Sequence, residues 1–182
     1  MSADSILVFD TETTGLTLHP EADVRKQPRM IEFGAALLSR VDGSVVEEIE
    51  ILVNPQQPLE PIITKITGLT DADLADARPF IDVLPQILRV FHEARTVVAH
   101  NLPFDKAIVH GEIARANLVS FPWPAHEVCT IGLYREQWGR NPRLIELYEA
   151  VMGRPLAQEH RGLSDVRALV EIIQKEELWR FM

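Results

Sequence analysis

Two carboxylates separated by one residue, Asp10 and Glu12, follow directly on four apolar residues, Ile6-Leu7-Val8-Phe9. Side chains in an extended segment alternate faces, so both acids point the same way from the end of a short, fully buried strand. Like charges set that close in a partly dry place repel, and one normally takes up a proton unless a divalent cation sits between them. Further along stand Asp105, Asp165 and a histidine, His160, five residues ahead of the last acid. Four carboxylates and one base are the inventory for two hard cations bound through oxygen with a general base beside them. There are no clustered Cys or multiple His ligands, which disfavours zinc and favours Mg²⁺ or Mn²⁺. Paired ions about 3.5 to 4 Å apart stabilise the attacking and leaving oxygens of an in-line phosphoryl displacement. Hydrolysis of a phosphodiester is the reaction that most needs this.

Each piece also has a plainer explanation. Asp10, Thr11, Thr13, Thr14 and Gly15 equally describe a turn or cap after a core strand, which leaves only Glu12 unexplained. Asp105 suits a helix N-terminus by its charge alone. His160 on its own reads as a surface or core-satisfied histidine. On a continuous helix His160 and Asp165 would stand about 140° apart and could not face one site. A loop or loosened first turn at Gly162 would let both reach one point.

The pattern of the chain provides elements to carry these residues. Thr17 to Pro28 has no helical or strand period and reads as a surface loop whose Arg25 and Lys26 could meet substrate. Met30 to Leu38 and Val45 to Leu52 are β-rich runs around Asp42-Gly43, a strong hairpin signal, and with the first strand they form a mostly antiparallel three-stranded unit. Asn54 to Pro61 is too Pro-rich for a sheet interior. Ile63 to Thr70 reads as a turn, with Thr70 an N-cap for a short helix from Asp71 to Ala75. Pro79 opens a helix whose apolar face runs from Phe80 to Phe91, and Pro85 predicts a kink there or a later helix start. Thr96 to His100 is a second buried strand, followed by a helix from Phe104 to Asn117 that carries Asp105 in its first turn. His126 to Thr130 reads as a short edge strand, and Ile131 to Trp138 and Arg143 to Met152 as helices. Arg135, Arg140 and Arg143 at the break between them read as a solvated corner or a place for a phosphate backbone, the corner being favoured because arginines near helix ends also complement the dipole. The last helix runs from Asp165 to about Glu177.

At 182 residues the chain is the length of one domain with one sizeable core, with 46% apolar and 25% charged residues. It shows no leader-like N-terminus and no apolar run of membrane-spanning length, so a cytoplasmic protein without a membrane partner is expected. The single Cys129 excludes an internal disulfide, fits a reducing compartment and reads as a small buried hydrophobe. A formal net charge of −9 argues against long, sequence-blind coverage of nucleic acid, although bound metal can bring the positive charge to a phosphate. With Trp179-Arg180-Phe181-Met182 after the last helix, a disordered tether to a partner is not expected.

In order, Phe9-Asp10-Thr11-Glu12-Thr13-Thr14-Gly15-Leu16, then His100-Asn101 with Phe104-Asp105, then His160 and Asp165 with four residues between, resemble the three motifs of the DEDDh (DnaQ-like) 3′ to 5′ exonucleases. That group includes the proofreading subunit or domain of bacterial replicative polymerases. The likeness extends to Asn54-Pro55, to Ile66-Thr67-Gly68-Leu69-Thr70 and to the segment from Leu144 to Met152, and so covers nearly the whole chain. It implies an α/β, RNase H-like fold with a mixed central β-sheet flanked by α-helices and with Asp10 and Glu12 on the middle strand. It implies that Asp10 bridges two divalent cations, that Glu12 and Asp165 complete one site, and that Asp105 supports the other mainly through water. His160 would deprotonate the attacking water, for which an ordinary pKa of about 6.5 is suited. Thr11, Thr13, Thr14 and Asn101 would hold the terminal nucleotide, and Leu16 or Phe104 would stack on or wedge against bases. The loop from Thr17 to Pro28 is longer than in the most compact members.

The expected reaction is removal of nucleoside 5′-monophosphates from the 3′ end of single-stranded or frayed DNA. Trimming of short or structured RNA is the alternative. A non-catalytic nucleic-acid-binding relative would have lost an acid or the histidine, and here none is missing. A polymerase or a second copy of the chain are the candidate protein partners.

Overall fold

The computed structural model describes residues 5–157 and 161–182. Its centre is a five-stranded mixed sheet in the order β3-β2-β1-β4-β5, formed by β1 (Ser5–Thr13), β2 (Met30–Ser39), β3 (Val45–Leu52), β4 (Ala94–Ala99) and β5 (His126–Cys129). β1 pairs antiparallel with β2 and parallel with β4, which makes it the middle strand. β2 and β3 form the antiparallel hairpin expected around Asp42-Gly43, and β5 is the edge strand beside β4.

Two helical layers cover the sheet. One face takes α3 (Phe80–Glu93) and α4 (Leu102–Arg115), packed on Leu7, Phe9, Phe33 and Val97. The other takes α5 (Thr130–Trp138), α6 (Leu144–Met152) and α7 (Gly162–Lys175), packed on the side of Ile6, Val8, Ala36, Leu38 and Val98. The alternation along β1 therefore continues past its apolar part. Asp10 and Glu12 follow Ile6 and Val8 toward α7, and Thr11 follows Leu7 and Phe9 toward α4. A smaller cluster of Ile31, Ile63, Leu69 and Leu74 lies under α1 (Pro61–Thr67) and α2 (Asp71–Ala75). Among the described residues no helix is long and apolar enough to cross a membrane.

Several local expectations change. The segment read as a turn after Ile63 is the helix α1, opened by Pro61 and closed by Gly68 at φ +73, the usual asymmetry of proline inside the start and glycine past the end. Thr70 does cap α2, through a reciprocal capping box with Asp73. α3 does not begin at Pro85 but runs unbroken from Phe80. Pro85 lies on its exposed side, where water can pair with the carbonyl that proline leaves without a donor. α7 begins three residues before Asp165, and Cys129 is half-buried rather than buried. The loop from Thr17 to Pro28 is tied to α4, because the Arg115 guanidinium donates to the carbonyls of Val24, Gln27 and Pro28.

α7 meets the sheet backbone to backbone at its N-terminus. A Cβ placed on Gly34 of β2 would lie 2.2 Å from the Gly162 carbonyl carbon and 2.3 Å from the Leu163 nitrogen. Neither is a flexible side-chain end, so the helix would have to move. Gly34→Ala is expected to cost about 1–3 kcal/mol of stability, the usual range for overpacking. Gly111→Ala in α4 serves as the control, since its Cβ would meet only the Arg115 guanidinium at 3.7 Å. That substitution is expected to be neutral or stabilising by up to about 1 kcal/mol, and urea unfolding of the two variants checks the contrast.

Candidate active site

The C-terminal end of β1, the start of α4, the start of α6 and the first turn of α7 enclose a cleft of about 690 Å³. Asp10, Glu12 and Asp165 each offer a carboxylate oxygen there, all within 4.8 Å of one another. The first two arrive together through the two-residue period of β1. The third comes from the first turn of α7, whose initial hydrogen bond runs from the Asp165 amide to the Arg161 carbonyl at 3.0 Å. Arg161 itself is extended, at φ −125 and ψ 133, and the helix bearing Asp165 begins after it, at Gly162. His160 lies outside the described residues.

Asp105 lies beside this trio but is held from the other face of β1. Its Oδ1 accepts the Thr11 amide at 3.0 Å and the Thr11 hydroxyl at 2.8 Å. Because Thr11 points toward α4 while its two neighbours point toward α7, Asp105 reaches the strand end from the opposite side. Asp105 is buried and at the start of its helix, as its position after β4 suggested.

The electrostatics are those of acids crowded without enough positive charge. Burial first, then the charges of Asp105, Glu12, Asp165 and Glu32, raise Asp10 well above the ordinary carboxylate range. Glu12 is pushed up to about 8 by burial and by Asp165, Glu32 and Asp105, with the Arg161 guanidinium pulling the other way. Burial raises Asp105 to about 7 against the two hydrogen bonds from Thr11. An all-oxygen donor set whose members repel one another fits hard divalent cations, and Asp10, Glu12 and Asp165 are the residues placed to hold them.

This crowding gives the metal-free protein an inverted pH dependence. A carboxyl whose folded pKa lies above its unfolded value holds its proton longer in the folded state, so stability falls as pH rises between the two. For Glu12 that window runs from 4.5 to about 8. The metal-free protein is expected to melt about 5–10 °C lower at pH 8 than at pH 6, taking about 2–4 °C per kcal/mol for a chain of this length. Mn²⁺ should reverse the loss and raise Tm more at pH 8. Thermal scans with and without chelator check both signs.

The remaining sequence-derived candidates divide. Asn101 and Phe104 line the cleft, Asn101 exposed and Phe104 half-buried against the core. Thr13 and Thr14 are outside its lining and serve the following turn. The Thr13 hydroxyl donates to the Gly15 carbonyl at 2.7 Å, and the Thr14 hydroxyl accepts the Arg29 amide at 2.9 Å. Leu16 is also outside the lining and is 82% exposed. Arg135 and Arg140 form the expected solvated corner, paired with Asn141 and Glu146. Arg143, exposed and 3.3 Å from the same Glu146, also lines the cleft at the start of α6, where it could meet a phosphate.

His100 was visible only as part of a motif, and its role is structural. Its Nε2 lies 3.0 Å from the Pro142 carbonyl, which can only accept, so Nε2 carries the proton and Nδ1 accepts from the Thr130 hydroxyl at 2.9 Å. Burial lowers its pKa and favours this neutral form. The imidazole thereby fastens the segment before Arg143 to the end of β4. Glu32 went unnoticed in the sequence. Its signal was a single acid inside the apolar run Met30-Ile31-Glu32-Phe33.

An exonuclease family model matches residues 7–173 of the chain. By sequence the chain is 30% identical over 169 residues to a PolC-type DNA polymerase III of Caldanaerobacter subterraneus subsp. tengcongensis, a match that covers 93% of this chain and 11% of that protein. The chain therefore spans about a tenth of the length of that relative. Among solved structures, the nuclease domain of 3′hExo, a DEDDh family member bound to rAMP, superposes with a TM-score of 0.77 at 17% identity, over 97% of this chain and 92% of that one. Exonuclease X in complex with 5′ overhanging duplex DNA superposes with a TM-score of 0.64 at 26% identity, over 94% and 93%. The mixed sheet with helices on both faces is the RNase H-like fold expected from the sequence. With a family model that spans nearly the whole chain and three acids gathered at the end of the middle strand, the chain belongs to the exonuclease family.

Proposed function

We propose that the chain removes nucleoside 5′-monophosphates one at a time from the 3′ end of single-stranded or frayed DNA. The observation that carries this reading is the meeting of Asp10, Glu12 and Asp165 in a cleft that opens past Asn101, Phe104 and Arg143. Divalent cations bound there supply positive charge to the phosphate and lower the pKa of the attacking water. Asp10, Glu12 and Asp165 hold them, and Asp105 supports them from the α4 side. His160 takes the proton of the water. Phe104 presents an aromatic edge for a terminal base, a sequence-tolerant contact that suits successive removal. Arg143 offers a charge to the phosphate backbone upstream of the cut.

DNA is favoured over RNA by the PolC-type DNA polymerase III relative and by the DNA-bound Exonuclease X, the more similar of the two structures by sequence. The same relative supports a polymerase as the machine that this activity serves. One sheet with two helical layers supports reading residues 1–182 as one exonuclease domain, and the single cysteine supports a cytoplasmic setting. Mg²⁺ and Mn²⁺ both suit the donors.

Digestion of matched 5′-labelled DNA and RNA oligonucleotides with Mg²⁺ or Mn²⁺ tests the proposal. A ladder shortening from the 3′ end, faster on DNA, is the expected result. Faster trimming of RNA would reassign the substrate, and direct release of the 5′ label as a mononucleotide or no cleavage of either polymer would overturn the reading.

A further inference from the structure

Glu32 is fully buried in β2, opposite Glu12 in the antiparallel register, and does not line the cleft. A carboxylate there is costly unless it is paired and hydrogen-bonded, and replacing such a pair by apolar residues is often neutral or stabilising. Two consecutive residues at one place in the chain donate to Glu32. Arg161 donates from Nε to both oxygens, at 3.1 and 3.0 Å, and from Nη2 to Oε1 at 2.9 Å. The Gly162 amide donates to Oε2 at 3.1 Å. Arg161 Nη2 reaches on to Glu50 of β3 at 3.1 Å.

These bonds converge on the peptide unit at which extended chain becomes α7. Arg161 is the N-cap, and its carbonyl receives the Asp165 amide. Just beyond it, Gly162 stands so close to Gly34 that its own Cβ would lie 3.0 Å from the Gly34 nitrogen. Backbone contact alone leaves a helix free to pivot about it. A planar guanidinium held by both oxygens of a rigid carboxylate does not allow that, because its fork geometry fixes orientation as well as distance.

We infer that Glu32 and Arg161 are positioning residues: their buried pair sets the first turn of α7 so that Asp165 meets Asp10 and Glu12, and it anchors the peptide that follows His160. Its kinetic consequence rests on the exonuclease reading, whereas its consequence for cation binding does not.

The test compares Glu32→Gln, which keeps shape but removes charge, with Arg161→Lys, which keeps charge but loses the fork. For each variant, Mn²⁺ binding is measured by calorimetry, kcat and KM on a single-stranded oligodeoxynucleotide, and Tm by thermal scan. Supporting groups behind metal ligands are typically worth about 10–100-fold in affinity or activity. Glu32→Gln is accordingly expected to weaken Mn²⁺ binding and lower kcat by about 10–100-fold with KM within about twofold, and Arg161→Lys to fall between it and wild type. If both variants melt lower but keep wild-type kcat and Mn²⁺ affinity, the pair only stabilises the fold and the inference is wrong. Should Glu32→Gln fail to fold, Arg161→Lys decides by the same two readouts. A wild-type protein that hydrolyses neither DNA nor RNA, yet loses Mn²⁺ affinity on Glu32→Gln, would overturn the exonuclease reading and keep the positioning role.

Discussion

Asp10→Asn is expected to lose hydrolysis by at least about four orders of magnitude while melting higher than wild type without divalent ions. Loss of activity follows because Asp10 is the strand-end member of the acid trio, and an amide oxygen is a weaker, uncharged ligand for a hard cation. The gain in stability has the opposite origin. Burial and four neighbouring acids oppose the ionised Asp10 carboxylate in the folded state, and the isosteric amide removes that repulsion without opening a cavity. Asp165→Asn should behave alike in activity. A merely structural aspartate would give the reverse pattern, a lower Tm with activity per folded molecule retained. Thermal scans at pH 8 with chelator, beside a single-stranded DNA assay with Mg²⁺, separate the two, and near-normal hydrolysis by either variant would end the two-metal reading.

His160→Ala is expected to cost roughly 10²–10⁴ in kcat, the usual size of a general-base contribution, with Mn²⁺ affinity and Tm close to wild type. The wild-type rate should rise with pH, since the base must be neutral to accept a proton. In His160→Ala that limb should disappear, leaving a dependence set by the water alone. If the variant keeps both the rate and the limb with Mg²⁺, another group is the base. This outcome is separable from that of Asp10→Asn, because the acids are expected to govern cation binding and the histidine only the step that follows.

Much of the frame was legible because it depends on neighbours in the chain. The period of β1 placed Asp10 and Glu12 on one face, Asp42-Gly43 announced the hairpin, and Thr70 announced the α2 cap. α1 shows that even local signals can be passed over, since Pro61 and Gly68 mark its ends. For Arg143 a solvated corner and a phosphate contact both stay open in the sequence, because a guanidinium near a helix start looks the same whether solvent or a cleft lies beside it.

What the sequence by itself determined is the set of chemical groups and the strand and helix starts that carry them, because residue type, periodicity and caps act over a few residues. Only the tertiary structure decided how those groups meet. Asp105 is tied to the Thr11 face of β1, across 94 residues of chain, and stands outside the three acids whose oxygens lie within 4.8 Å of one another. Glu32 and Arg161, 129 residues apart, pair at the root of α7, and Gly34 lets that helix approach the sheet backbone closely enough for Asp165 to reach Asp10. Such contacts depend on the packing of whole elements against one another, and no local pattern records them.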